Sequence, residues 1–260
     1  MTIQFQKYQG TGNDFIIIDN RDMKFSQSDN ALASRLCNRK FGIGADGLIL
    51  LQNKQGYDFE MVYFNSDGNE SSMCGNGGRC ITEYARTIGL VKDKAVFYAI
   101  DGMHEAKVKP SYVSLKMKDV TEVEITAPFA FLNTGSPHYV AFVSNIEKYD
   151  VEGEGKKIRN SSRFVEHGVN VNFAEKKYNE LFVRTYERGV EGETLSCGTG
   201  VTAAALVAAL RAVSTTQTEC DVITLGGKLK VKFVKNNDNT FTDIWLEGPA
   251  TFVFKGEIEI

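Results

Sequence analysis

The chain repeats itself at a fixed distance. Thr11-Gly12 and Thr134-Gly135 each precede an apolar run, while Cys74-Gly75-Asn76-Gly77 and Cys197-Gly198-Thr199-Gly200 each open a helix-like run; both pairs lie 123 residues apart. One offset shared by two well-separated places marks the duplication of a whole unit. Between these marks both halves run strand, acidic Gly-containing turn, cysteine, helix. The turns are Asn65–Glu70 and Glu187–Glu193. In 260 residues this predicts two similar domains, 1–122 and 123–260, with a boundary near Thr121–Ala127. A last strand over Thr251–Ile260 is placed to return to the first domain.

Residue patterns fill the two halves with mixed α and β structure. Runs rich in Val, Ile, Phe and Tyr, bounded by Gly, Asn and Asp, predict strands at Phe15–Asp19, Leu48–Leu51, Asp58–Phe64, Ala95–Ile100 and Val113–Met117. In the second half they fall at Tyr139–Val143, Val169–Phe173, Leu181–Tyr186, Leu229–Val234 and Phe241–Leu246. Helices are expected at Ala31–Lys40, Gly77–Ile88 and Val201–Val213, and the charged, Gly-bearing Glu147–Lys157 reads as a surface connection. The fold class is α/β in the mixed, α+β sense.

Composition narrows the function. Charged residues make up 24% and the net charge is −3, with both signs mixed along the chain and no basic stripe. Nucleic acid and anionic membranes are therefore not the expected partners. Met1–Lys7 lacks the basic and apolar regions of a signal peptide, and Val201–Leu210, the longest apolar stretch, is too short to span a bilayer. The expected location is the cytoplasm.

The five cysteines are odd in number, no CxxC occurs, and Cys74 and Cys80 stand six apart. His104, His138 and His167 stand alone. Neither a disulfide framework nor a metal site fits this pattern, so any cysteine that matters acts as a thiol. Cys37, Cys80 and Cys220 read as small core residues. Gly42-Ile43-Gly44-Ala45-Asp46-Gly47 matches GxGxxG formally, but it follows a helix and precedes a strand, the reverse of a dinucleotide loop. His138, after Pro137, is expected in a loop as an ordinary surface or satisfied residue.

Cys74 and Cys197 are different because their surroundings are duplicated with them. Each stands where a strand and turn give way to a helix. The glycines let the backbone turn tightly and leave N–H groups open to a ligand. The positive end of a helix lowers a thiol pKa and suits a carboxylate. Two such elements in pseudo-two-fold relation are expected to place two thiols face to face, with two helix N-termini converging on one anion. That arrangement answers a specific chemical problem. Removing the α-proton of an amino acid leaves a poorly stabilised carbanion, for which pyridoxal phosphate is the usual electron sink. Preorganised N–H donors on the α-carboxylate replace the sink, and a thiolate on one face with a thiol on the other inverts the centre.

These residues resemble the diaminopimelate epimerase family over essentially the whole chain. The resemblance rests on Gly10–Phe15, Gly42–Asp46, Phe64–Gly68, Met73–Cys80, Gly135–His138, Val169–Val171, Tyr186–Gly189 and Glu193–Gly200. It implies two α/β domains, each a β-rich sheet wrapped around a central helix, in a homodimer. It implies no cofactor, and a small-molecule substrate: LL- and meso-2,6-diaminopimelate, interconverted for lysine and peptidoglycan synthesis. Cys74 and Cys197 would be the acid/base pair. Asn13, Asn65, Asn170, Glu187 and Arg188 would bind substrate, largely its distal amino and carboxylate groups. The backbone N–H groups of Gly75, Asn76, Gly198 and Thr199 would hold the reacting carboxylate, and His138 and Glu187 would sit near the thiols and adjust their pKa. The chain departs from the family's usual pattern with Gly47 in place of Gln, Ser136 in place of Asn, and one extra residue between Glu187 and Cys197.

Three alternatives remain at this stage. A proline-type racemase or a related isomerase shares the chemistry, but Asn76 and the Glu187-Arg188 pair favour a substrate with a second carboxylate, which Arg can grip. A cysteine hydrolase would need one cysteine with a His base and an oxyanion hole, and a binding protein on this fold would need neither thiol.

Overall fold

The computed structural model describes residues 2–212 and 218–260. Two compact units emerge, Met1–Leu115 with Gly248–Ile260, and Lys116–Glu247.

In the first unit, β1 (Thr2–Gly10) and β2 (Asn13–Asp19) form a hairpin whose two loop residues, Thr11 and Gly12, have φ of 53° and 85°. Left-handed residues at both positions match the natural twist of the strands. β2 then runs parallel to β3 (Gly47–Gln52), which requires a crossover, and α1 (Asn30–Cys37) supplies it. Asp29 caps that helix by accepting a bond from Leu32 N–H. β3 pairs antiparallel with β4 (Phe59–Asn65), and β4 with the short β5 (Glu70–Ser71). A second crossover, α2 (Gly75–Thr87), leads to β6 (Lys94–Ala99), parallel to β4; β7 (Gly102–Lys109) and β8 (Tyr112–Lys116) follow as a meander.

Two layers cover this sheet. Ile16, Ile18, Leu48, Leu50, Val62 and Phe64 pack with Leu36 of α1 and with Phe25. The alternate residues face α2, which is buried from Gly75 to Ala85. A Cβ on Gly77 would come within 3.2 Å of Ile49 Cδ1 and Met61 Cε, so this glycine lets the helix lie close to the strands.

The second unit repeats the pattern. β9 (Val123–Ile125), β10 (Ala130–Asn133) and β11 (Pro137–Phe142) pair antiparallel in sequence order, and β11 runs parallel to β12 (Asn170–Lys177) across α3 (Val151–Arg159). β12 pairs antiparallel with β13 (Glu180–Glu187), and β13 with β14 (Gly192–Thr194). α4 (Gly198–Arg211) then crosses to β15 (Glu219–Thr224), parallel to β13, and β16 (Gly227–Lys235) and β17 (Phe241–Pro249) complete the meander. The order of parallel and antiparallel pairings from β2 to β8 recurs from β11 to β17, so the protein is a mixed α+β chain of two pseudo-symmetric units. The last strand, β18 (Thr251–Glu259), pairs antiparallel with β1 along its length.

The structure corrects the expectation for Glu147–Lys157, which is not a plain connection. It overlaps a 3-10 turn, Ile146–Lys148, and holds most of α3. Gly153 and Gly155 hid the helix, but Asp150 accepts a bond from Gly153 N–H (2.9 Å), Glu152 and Glu154 sit in the first turn, and Lys156, Lys157 and Arg159 in the last. Cap and dipole terms outweigh two poor helix formers. Gly155 is also required, since a Cβ there would meet Tyr186 Cγ at 2.6 Å. The helix expected to end at Val213 starts earlier, at Gly198, and Val213 itself lies outside the described residues. Among the described residues no helix is long and apolar enough to cross a membrane.

Candidate active site

Cys74 is the N-cap residue of α2, with extended backbone (φ −86°, ψ 128°), and its side chain makes no cap bond. The first turn closes when Gly78 N–H donates to Cys74 C=O at 2.7 Å. The thiol is half-buried and directed at Asn13 on β2, donating to Oδ1 at 3.6 Å. Asn13 is held from both ends: Oδ1 also accepts from Asn76 Nδ2 (3.2 Å), and its own Nδ2 donates to Asp46 (2.8 Å). Asp46 in turn takes a bond from Arg39 at 2.7 Å. Arg39 and Lys7 also bind Asp14. Burial opposes ionisation of Asp14, but hydrogen bonds from Arg39 and Lys7 outweigh it and hold the carboxyl well below the usual range.

Asn65 is exposed at the end of β4. The cross-strand partners Phe15, Gly47 and Asn65 share one row of the sheet, so Asn65 lies on the face that carries Asn13 and α2. Gly47 stands between Phe15 and Asn65 without a side chain for a physical reason. A Cβ there would meet the ring of Tyr63 at 2.5 Å and Phe64 C=O at 2.7 Å. The space a longer side chain would need is filled by Tyr63.

Cys197 is the N-cap residue of α4 (φ −113°, ψ 111°), again without a cap bond, and its C=O accepts from Val201 N–H at 2.8 Å. The thiol lies 3.5 Å from Thr199 Oγ1, and the C=O of Thr199 accepts from Thr134 Oγ1 at 2.9 Å.

His138 is not in a loop. It is the second residue of β11, where Pro137 takes the first strand position, a place that tolerates a proline. His138 is fully buried; Nδ1 faces Asn172 Nδ2 at 3.1 Å, and Nε2 has no partner. Burial first, and then the charge of Arg188, push its pKa down to about 3, so the imidazole is neutral at physiological pH.

Asn172, which the sequence reading passed over, organises this half. Its Nδ2 also bonds Tyr139 C=O (2.9 Å) and Asn170 C=O (3.3 Å), its Oδ1 accepts from Thr185 (2.9 Å), and Gly200 has no Cβ to displace it. Asn170 and Asn172 are alternate residues of one strand, a spacing that could have disclosed the pair. Asn170 Oδ1 accepts from Arg188 N–H at 2.9 Å. The Arg188 guanidinium donates to His167 C=O (3.0 Å) and to Ser136 Oγ (3.3 Å), so Ser136 serves as an anchor for Arg188. Glu187 accepts from Thr194 Oγ1 at 2.7 Å across the β13–β14 ladder.

The remaining thiols are core residues. Burial pushes Cys37 and Cys80 up to about 12 and Cys220 up to about 11. Among the described residues no group of His, Cys, Asp and Glu could hold a metal ion. Arg79, part of the Met73–Cys80 segment but given no role there, lies in the second turn of α2 with a fully buried guanidinium. Its counterpart 123 positions on is Thr202, whose hydroxyl turns back to Gly198 C=O at 3.0 Å.

Comparison with known proteins fits this geometry. The family model described as diaminopimelate epimerase matches residues 5–119 and 130–253. A diaminopimelate epimerase of Flavobacterium psychrophilum is 52% identical over 259 residues, covering 98% of this chain and 100% of the relative. That of Aquifex aeolicus is 37% identical over 279 residues, covering 98% of each. Among solved structures, a Bacillus anthracis phenazine biosynthesis protein of the PhzF family superposes with a TM-score of 0.78 at 15% identity over 100% of both chains. A hydroxyproline epimerase from Agrobacterium vitis does so with 0.69 at 12% identity, covering 99% of this chain and 92% of that one. These last two show the shared fold. The sequence matches over both units show that the chain belongs to the diaminopimelate epimerase family.

Proposed function

We propose that the protein interconverts LL- and meso-2,6-diaminopimelate without pyridoxal phosphate, using Cys74 and Cys197 as its two acid/base groups. One observation carries the reading: the two cysteines, and no others, stand at the N-caps of the equivalent helices α2 and α4, with side chains that do not cap. A thiolate takes the α-proton from one face of the carbon, the second thiol returns a proton to the opposite face, and no net proton is consumed. The amides of Gly75 and Asn76, and of Gly198 and Thr199, hold the α-carboxylate as charge develops on it. Asn13, Asn65, Asn170, Glu187 and Arg188 bind the rest of the molecule, with Arg188 on the distal carboxylate. His138, neutral, and Glu187 support the thiols. Family membership further supports a homodimer working in the cytoplasm on this small molecule alone.

The test uses Cys74→Ala and Cys197→Ala with each isomer in deuterated water. Each variant keeps one base. Inversion is expected to fall by a factor of about 10²–10⁴ in both. Slow exchange of the α-proton should survive for one isomer in one variant and for the other isomer in the other. Near-normal inversion in either variant, or exchange of the same isomer by both, overturns the two-base assignment.

A further inference from the structure

The guanidinium of Arg79 is completely buried, yet every acceptor it reaches is neutral. Nε donates to Pro249 C=O (3.3 Å), Nη1 to Gly75 C=O (3.4 Å), and Nη2 to Thr11 Oγ1 (3.3 Å) and Asn76 Oδ1 (3.0 Å). No carboxylate among the described residues forms an ion pair with it. A buried charge of this kind is kept only where something balances it.

The charged groups around it do not. Cys80, beside it on α2, is held neutral by burial. Glu83, one turn on, is paired with Arg86 at 2.8 Å. Lys7 and Arg39 engage Asp14, and Arg39 also engages Asp46, behind Asn13. Tyr112 of β8 is a phenol. The remaining acidic group in its field is the thiol of Cys74. β1 approaches closely on the other side, where a Cβ on Gly10 would meet Arg79 Nη2 at 3.2 Å and Cys80 Sγ at 3.3 Å. The arginine is thus built into the floor of the Cys74 half-site.

From this we infer that Arg79 is a positioning residue whose fixed positive charge is balanced by the anions of the reaction itself, the Cys74 thiolate and the carboxylate at the start of α2. It acts through a directed chain. The guanidinium claims Asn76 Oδ1, which turns Asn76 Nδ2 toward Asn13, and Asn13 Oδ1 then accepts from both Asn76 and Cys74. Asn13 favours the protonated thiol; Arg79 and the helix N-terminus favour the thiolate. A reversible two-base reaction needs both forms within reach. The inference rests on Cys74 being an acid/base group, as proposed above.

The test follows alkylation of Cys74 and Cys197 separately, by peptide mapping of full-length protein treated with iodoacetamide from about pH 6 to about pH 10. In Arg79→Gln, and in Asn76→Asp, which neutralises the guanidinium in place, the Cys74 profile should move up by about one pH unit, a roughly tenfold loss of thiolate near neutrality. Arg79→Lys should restore most of it, and the Cys197 profile should stay where it is. An unmoved Cys74 profile in Asn76→Asp, or equal movement of both cysteines, overturns the inference. Protection of wild-type Cys74 by diaminopimelate is read in the same experiment. Its absence removes the acid/base assignment, whereas protection with an unmoved profile leaves the assignment and removes Arg79.

Discussion

Acid should loosen the second unit at one residue. His138 titrates at about 3 in the folded chain against 6.5 for a free imidazole, because burial, and then the charge of Arg188, disfavour the imidazolium. The folded pKa lies below the unfolded one, so the unfolded chain takes up the proton first. The contribution to stability is whole above about pH 6.5 and is lost as pH falls toward 3. Between pH 7.5 and pH 5 the loss from this group alone is about 2 kcal/mol, with a ceiling of about 5 kcal/mol below pH 3. Urea unfolding followed through the fluorescence of the single tryptophan, Trp245, at pH 7.5, 6 and 5 gives the wild-type slope. The same series on His138→Phe removes the titration. That variant should start less stable, since Asn172 loses a partner, and the gap to wild type should close by about 2 kcal/mol at pH 5. A gap independent of pH would refute the argument.

Two further outcomes follow from the site. Gly47→Gln should destabilise by about 1–3 kcal/mol through the clash with Tyr63 and Phe64 C=O, and Tyr63→Ala should recover much of it, read as coupling in a double-mutant cycle of melting temperatures. Simple additivity would show that the two positions do not share that space. Arg188→Met should raise KM for diaminopimelate roughly 10–100-fold, the worth of a charged hydrogen bond, and lysine, which lacks the distal carboxylate, should be a very poor substrate of the wild-type enzyme. Comparable turnover of lysine in steady-state assays would remove Arg188 from that role.

What the sequence disclosed was what repeats. Cys74 and Cys197 are legible because glycines and helices are duplicated around them, and strands are legible where Val, Ile, Leu, Phe and Tyr crowd together, as in β3, β4 and β16. β7 is less so, because its buried face is carried by His104, Ala106 and Val108 between Glu105 and Lys107. α3 was hidden by its glycines, and His138 was misplaced because Pro137 reads as a breaker when it stands at a strand's first residue. The polar floor was the least legible part. Arg79 and Asn172 look like ordinary polar residues until the fold removes the solvent that would have satisfied them.

The unequal side chains that α2 and α4 carry behind their cysteines bear on how the two halves of a duplicated chain come to differ. Two identical halves would give two thiols of equal acidity. Here α2 carries a buried guanidinium in its second turn where α4 carries the hydroxyl of Thr202, and a neutral imidazole belongs to the second unit alone. The two isomers of the substrate are themselves unequal, since one carries two centres of the same hand and the other does not. Divergence at these buried positions lets the surroundings of each cysteine change while the duplicated Cys-Gly-x-Gly element stays the same.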